Sequence, residues 1–117
     1  MEQRFYAGRR EPLMPQFDVH RNPGRSRTAI PYLLVVQSDR WEDRSDRVVV
    51  PLVLASEISY HDRTLNPEFT VENIRVLMNP LQTAAIPIRM LGPSITNLDA
   101  EHLRIIASLD ALVAQGR

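Results

Sequence analysis

Three histidines, His20, His61 and His102, and fourteen acids are the side chains through which this chain could move protons or hold a metal. The histidines stand far apart with no ligand spacing, whereas a metal centre needs converging donors. No cysteine is present, so thiolate chemistry and disulfides are both excluded. There is no glycine-rich phosphate cradle, no HExxH pair, and no serine placed at a strand-to-helix elbow. The reading is therefore of a protein with no catalytic residue, cofactor or metal, and its chemistry must be recognition. One stretch stands out for that role. Asp39, Glu42, Asp43 and Asp46 alternate with Arg40, Arg44 and Arg47 around the single tryptophan, Trp41. Such a run is either a solvated, self-paired loop that adds little stability or a contact patch anchored by an exposed aromatic ring.

Composition narrows the class of partner. The 117 residues carry 14 basic and 14 acidic side chains, and this balance argues against electrostatic capture of nucleic acid or of an anionic membrane. Every basic residue is arginine, which reads either as a GC-rich genome or as guanidinium forks set to hold carboxylates across an interface. No apolar run approaches a membrane span, and residues 1–13 lack the apolar core of a signal peptide. A single domain in a reducing cytoplasm is expected.

Around the charged spacer, the hydrophobic pattern predicts mostly strands. A short alternating run at about residues 15–20 meets the turn Asn22-Pro23-Gly24. IPYLLVVQ and RVVVPLV are continuous, β-branched runs of buried-strand type. With roughly ten residues between them, they form a hairpin with a longer loop than most. Pro51 cannot donate to a ladder and is expected at an edge or bulge. Residues 54–66 have no clear pattern. FTV and IRVLM flank Glu72-Asn73 as a second hairpin, with Asn73 left-handed. Ile86, Ile88 and Met90 alternate as a last strand, ended by Gly92-Pro93. A helix then begins at Asp99 as N-cap. Leu98 and Leu103 are spaced as a staple. Leu103, Ile106, Leu109, Leu112 and Val113 form the buried stripe, widened by Ile105, and Gly116 closes the helix.

In order and spacing, MPQFDVHRNPG, YLLVVQSD, RVVVPL, LNPEF, AAIPIRMLG and SLDALVAQG resemble the CcdB family of addiction-module toxins, over residues 14–116. Residues 1–13 have no counterpart and read as an upstream start or a loose extension. The resemblance implies a mainly β fold with one C-terminal α-helix: an SH3-like antiparallel barrel of the CcdB/MazF type, with a small side sheet, in a single domain of residues 14–117. It further implies a homodimer that binds the A subunits of DNA gyrase and holds the cleaved gyrase–DNA complex, without being an enzyme. A cognate CcdA-like antitoxin with a disordered tail would neutralise it. No direct, specific nucleic-acid binding and no membrane contact are implied.

The resemblance places gyrase contacts at the helix end, on Leu112, Val113, Gln115, Gly116 and Arg117. Members studied in detail end in tryptophan–glycine–isoleucine; here Gly116 matches, while Gln115 and Arg117 replace the two apolar anchors. Val35 stands where members often carry an acid, and its apolar side chain should bury well. Arg40, Trp41 and Arg44 are candidate antitoxin contacts. Two alternatives remain. One is a MazF-like endoribonuclease, for which Arg25 or Arg27 would have to converge with the hydroxyl of Ser26 or Thr28 on a pentavalent phosphate. The other is a relative that binds antitoxin without poisoning.

Overall fold

The computed structural model describes residues 14–116. The expectations for residues 1–13 and for Arg117 fall outside them.

Seven strands form one antiparallel sheet, curled into a half-barrel and closed by a C-terminal helix. They are β1 (Asp18–Arg21), β2 (Tyr32–Val35), β3 (Asp46–Leu54), β4 (Glu68–Val71), β5 (Ile74–Met78), β6 (Ala84–Pro87) and β7 (Ser94–Asn97). The order across the sheet is β4-β5-β3-β2-β1-β7, with β6 paired to β3 beside β5. The inner face holds the main core, where Val19, Tyr32, Leu34, Val50, Leu52, Phe69, Val76 and Met78 pack together. Alternation turns Leu33, Val35 and Val49 to the opposite face, where Ile30, Ile86 and Leu91 cover them as a smaller cluster. Val35 is fully buried there, as its apolar side chain requires.

The two expected hairpins form. Glu72 and Asn73 both have positive φ, 52° and 65°, which makes a two-residue primed turn between β4 and β5. Pro51 departs from expectation, because it sits inside β3, the strand with the most partners. On one edge β3 pairs with β6 through Val49 and with β5 from Leu52 onward, so Pro51 falls in the gap between two partners. Its carbonyl accepts from Asn79 N–H in that gap, and no ladder bond is lost to the ring.

The last strand also differs. Pairing with β3 stops at Pro87, Ile88–Met90 forms a 3-10 turn, and a further strand, β7, follows Gly92-Pro93. β7 pairs with β1, across a bulge between Val19 and His20. A Cβ on Gly92 would stand 2.6 Å from the Arg21 carbonyl oxygen, so only glycine lets this connection press so closely on β1.

The helix α1 (His102–Val113) follows a 3-10 turn, Asp99–Glu101, and the Asp99 side chain caps nothing. Instead the Asn97 side-chain oxygen accepts from Asp99 N–H. The buried stripe is rotated from its expected position. Ile105 and Ser108 are the fully buried helical residues, with Leu109 packed beside them, while Leu103 and Val113 are 75% and 77% exposed. Ser108 lies inward because its hydroxyl donates to the Leu65 carbonyl at 2.6 Å, a bond the apolar pattern could not signal. Leu98 joins the core without Leu103, so the staple is absent. The helix ends because Ala114 turns to an extended conformation; Gly116, φ 153°, lies two residues beyond and closes nothing.

Candidate functional site

The charged spacer between β2 and β3 is a folded structure organised by Arg47. This residue is 2% exposed, and its guanidinium donates to the carbonyls of Arg44, Asp46 and Glu42 at 2.9, 2.9 and 3.0 Å, and to Met14 at 3.5 Å. A planar fork with five donors suits convergent carbonyls in a way an ammonium does not. At the other end Asp39–Trp41 forms a 3-10 turn, capped by the Ser38 hydroxyl accepting from Arg40 N–H. Asp39 Oδ1 accepts from Gln16 N–H at 2.7 Å and ties the turn to the chain entering β1. Arg40 lies over the Trp41 ring at 5.4 Å, leaving the indole 48% exposed. Arg44 is exposed, with only a loose 4.0 Å approach to Asp43. Of the two readings of this run, the self-paired one gains the loose Arg44–Asp43 approach. The loop is held by one buried arginine on backbone oxygens, with Arg40, Trp41 and Arg44 turned to solvent.

The helix end forms a second surface. Leu112 is half-buried, Val113 is open, and Gln115 and Gly116 are exposed. The helix packs against the turn Pro80–Gln82, in which Leu81 is left 69% exposed. Among the described residues no hydrogen bond or ion pair joins this end to the spacer. Arg25–Thr28 forms an exposed 3-10 turn in which Arg27 donates to the Gly24 carbonyl and the Ser26 hydroxyl accepts from Asn22. Among the described residues no carboxylate bonds to that turn, and no hydrogen bond joins either arginine to the Ser26 or Thr28 hydroxyl.

Two polar clusters escaped the sequence reading. Asp18 and His20 on β1 are both buried, and His20 Nε2 lies 3.3 Å from Asp18 Oδ2. The contact is close but off hydrogen-bond geometry. Asp18 also accepts from the Ser94 hydroxyl and the Asn97 amide, while His20 Nδ1 meets the Gly92 carbonyl at 2.9 Å. The aspartate stands between serine and histidine, the reverse of a nucleophilic relay, in which the imidazole must touch the hydroxyl. The cluster fastens β7 to β1. The second cluster joins Tyr32, Arg21 and Glu72. Its members lie 51 and 40 positions apart in pairs, too distant for any local pattern to associate them. Among the described residues no group of acids and histidines could hold a metal, and no helix is long and apolar enough to cross a membrane.

A half-barrel sheet with one C-terminal helix, and no assembled catalytic constellation among the described residues, is the setting for the comparison with known proteins. The family described as CcdB protein matches residues 16–115. This chain belongs to the CcdB family. Membership places it among the toxins of toxin–antitoxin modules and extends over every strand and the helix. No curated protein matches the chain.

Proposed function

We propose that this CcdB-family chain acts as a homodimer that binds the A subunits of DNA gyrase and holds the cleaved gyrase–DNA complex, and that a CcdA-like antitoxin releases it. The supporting observation is the family match over residues 16–115. The physical mechanism is selective binding: a protein that prefers the open, cut state of gyrase shifts the population toward it in proportion to that preference. The contact surface is the helix end, from Leu112 and Val113 to Gln115, Gly116 and Arg117. Arg40, Trp41 and Arg44 on the spacer serve the antitoxin, with the indole as an anchor that binding would desolvate. The site of action is the cytoplasm.

The test is direct. Purified protein is incubated with gyrase, supercoiled plasmid and ATP, and the mixture is denatured; linear plasmid is the expected product. Labelled RNA is incubated in parallel, and its fragmentation in place of plasmid cleavage would select the endoribonuclease reading.

One observation favours a second reading, a relative that binds antitoxin without poisoning. Exposed Gln115 offers an amide, and the sequence continues to a cation at Arg117, where apolar anchors are usual. That reading predicts no linear plasmid but retained, tight antitoxin binding.

A further inference from the structure

Among the described residues one buried side-chain polar atom lacks a hydrogen-bond partner, and it lies in the seam between β1 and β7: Nε2 of His20. The other ring nitrogen settles what Nε2 offers. Nδ1 meets the Gly92 carbonyl at 2.9 Å, and a carbonyl oxygen can only accept, so Nδ1 carries a proton. In a neutral imidazole Nε2 is then a bare lone pair. It faces Asp18 Oδ2 at 3.3 Å, an acceptor that already takes the Ser94 hydroxyl. Two acceptors thus confront each other where the side chains are 3% and 10% exposed, too closed for water to separate them freely. A buried lone pair left in this way is rare and costly.

A second proton on the ring removes the conflict. His20 becomes a cation beside a carboxylate, and the pair is neutral as a whole. The other polar atoms of the pair are already engaged, Asp18 Oδ1 by the Asn97 amide and His20 Nδ1 by Gly92. Without that proton the seam holds a buried negative charge with no cation beside it. The packed elements supply none. Leu33 stands opposite His20 on β2. β7 contributes Ser94 and Asn97, and the connection before it is Leu91-Gly92-Pro93, all uncharged. Arg21, next on β1, sends its guanidinium to Glu72, and His102 at the start of α1 stacks on Phe17. Among the described residues no arginine bonds to Asp18 or His20.

We propose that the β1–β7 seam is a proton-controlled latch: one proton held between Asp18 and His20 keeps β7 on β1, and its loss lets β7 open. The proton belongs to the pair rather than to either side chain. The closed seam binds it more tightly than the open one, in which water solvates the two groups separately. By linkage, closure is favoured while the pair keeps its proton, and that advantage disappears as pH rises and the proton leaves for solvent. β7 leads directly into the turn before α1, so the latch sets how firmly the start of the helix is held. The inference is independent of the proposed function.

NMR of the histidine ring nitrogens in the full chain tests it, since only three imidazoles contribute and His20→Gln identifies the signals of His20. At about pH 7 both ring nitrogens of His20 should carry protons, and Nε2 should lose its own on the alkaline side. In parallel, exchange of the β7 amides is corrected for its intrinsic pH dependence and set against the β4–β5 hairpin. It should accelerate about tenfold between about pH 6 and 9. Asp18→Asn removes the charge and offers Nε2 an amide donor, so in that variant β7 exchange should no longer depart from the hairpin with pH. An Nε2 that stays bare in the unaltered chain, or a pH response that persists in Asp18→Asn, overturns the proposal. So does β7 exchange that tracks the hairpin at every pH. The ring-nitrogen and exchange readings are made on the unaltered chain, so they decide the matter even if a variant fails to fold.

Discussion

The phenol of Tyr32 donates to Glu72 Oε1 across 2.6 Å, and so joins the middle of the sheet to the tip of the β4–β5 hairpin. Arg21 holds the other oxygen of the same carboxylate at 2.8 Å. Glu72 is a non-glycine residue at positive φ, and these two bonds fix the turn in that conformation.

Alkaline titration should expose this link. Burial, reinforced by the neighbouring Glu72 carboxylate, pushes the Tyr32 phenol up to about 12. A folded value above the ordinary tyrosine value means that the stabilisation is complete below about pH 10 and disappears as pH rises through about 12. Tyr32→Phe should cost about 1 kcal/mol at neutral pH and flatten stability between about pH 10 and 12. Urea denaturation of both proteins at two pH values measures it; parallel curves would refute the link. At the acid end the bonds from Tyr32 and then Arg21 hold Glu72 below the usual carboxylate range. Their stabilisation is present above that range and lost as pH falls through the depressed value.

Arg47 is expected to govern the shape of the spacer. Arg47→Lys keeps the charge but lacks the fork for several carbonyls, and should cost about 2 kcal/mol. Trp41 is the sole tryptophan, so its emission reports the loop directly and should shift red in the variant. Unchanged emission and an unchanged urea midpoint would show that the carbonyl clamp does not hold the loop.

The rotated helix stripe separates neighbouring apolar residues. Ile105→Ala should destabilise by about 2–4 kcal/mol, because it leaves a cavity in the main core. Leu103→Asp, on the open face, should stay within about 0.5 kcal/mol. Thermal melts of the two variants decide this, and a large loss at Leu103 would restore the stripe expected from periodicity.

Gly92→Ala would force a methyl group against the Arg21 carbonyl and should cost about 1–3 kcal/mol. Amide exchange should accelerate at His20 and Ser94 in particular, because the connection covering His20 moves. Uniform loss across the sheet would mean that β7 is not a separable unit.

At the helix tip, Gln115→Trp with Arg117→Ile should increase linear plasmid yield from an enterobacterial gyrase, if the tip makes the contact. An unchanged yield would locate the contact elsewhere.

The sequence made the central hairpins legible because their runs are long, β-branched and bounded by turn residues. Residues 32–35, 47–53 and 74–78 announce themselves through burial on one or both faces. β7 did not, since Ser94–Asn97 is short, polar and mostly exposed, and its pairing with β1 depends on a glycine contact that leaves no local pattern. The helix was legible in place but not in orientation. Its outer face carries Leu103, Ile106 and Val113, so periodicity found an apolar stripe and chose the exposed one. For the candidate site, the sequence singled out Trp41 and the alternating charges, yet assigned Arg47 to the solvated run. Only the three-dimensional convergence of four carbonyls distinguishes it from Arg40 and Arg44.

The pairing of the first strand with the last also constrains how the molecule is made. Asp18 waits for Ser94, 76 positions later, and at roughly 5–20 residues per second a ribosome needs about 4–15 s to supply it. During that interval the nascent chain has an unclosed β1 flank and an uncovered His20. Final assembly thus waits until β7 has been made, an interval in which a co-expressed binding partner can reach the polypeptide before it matures.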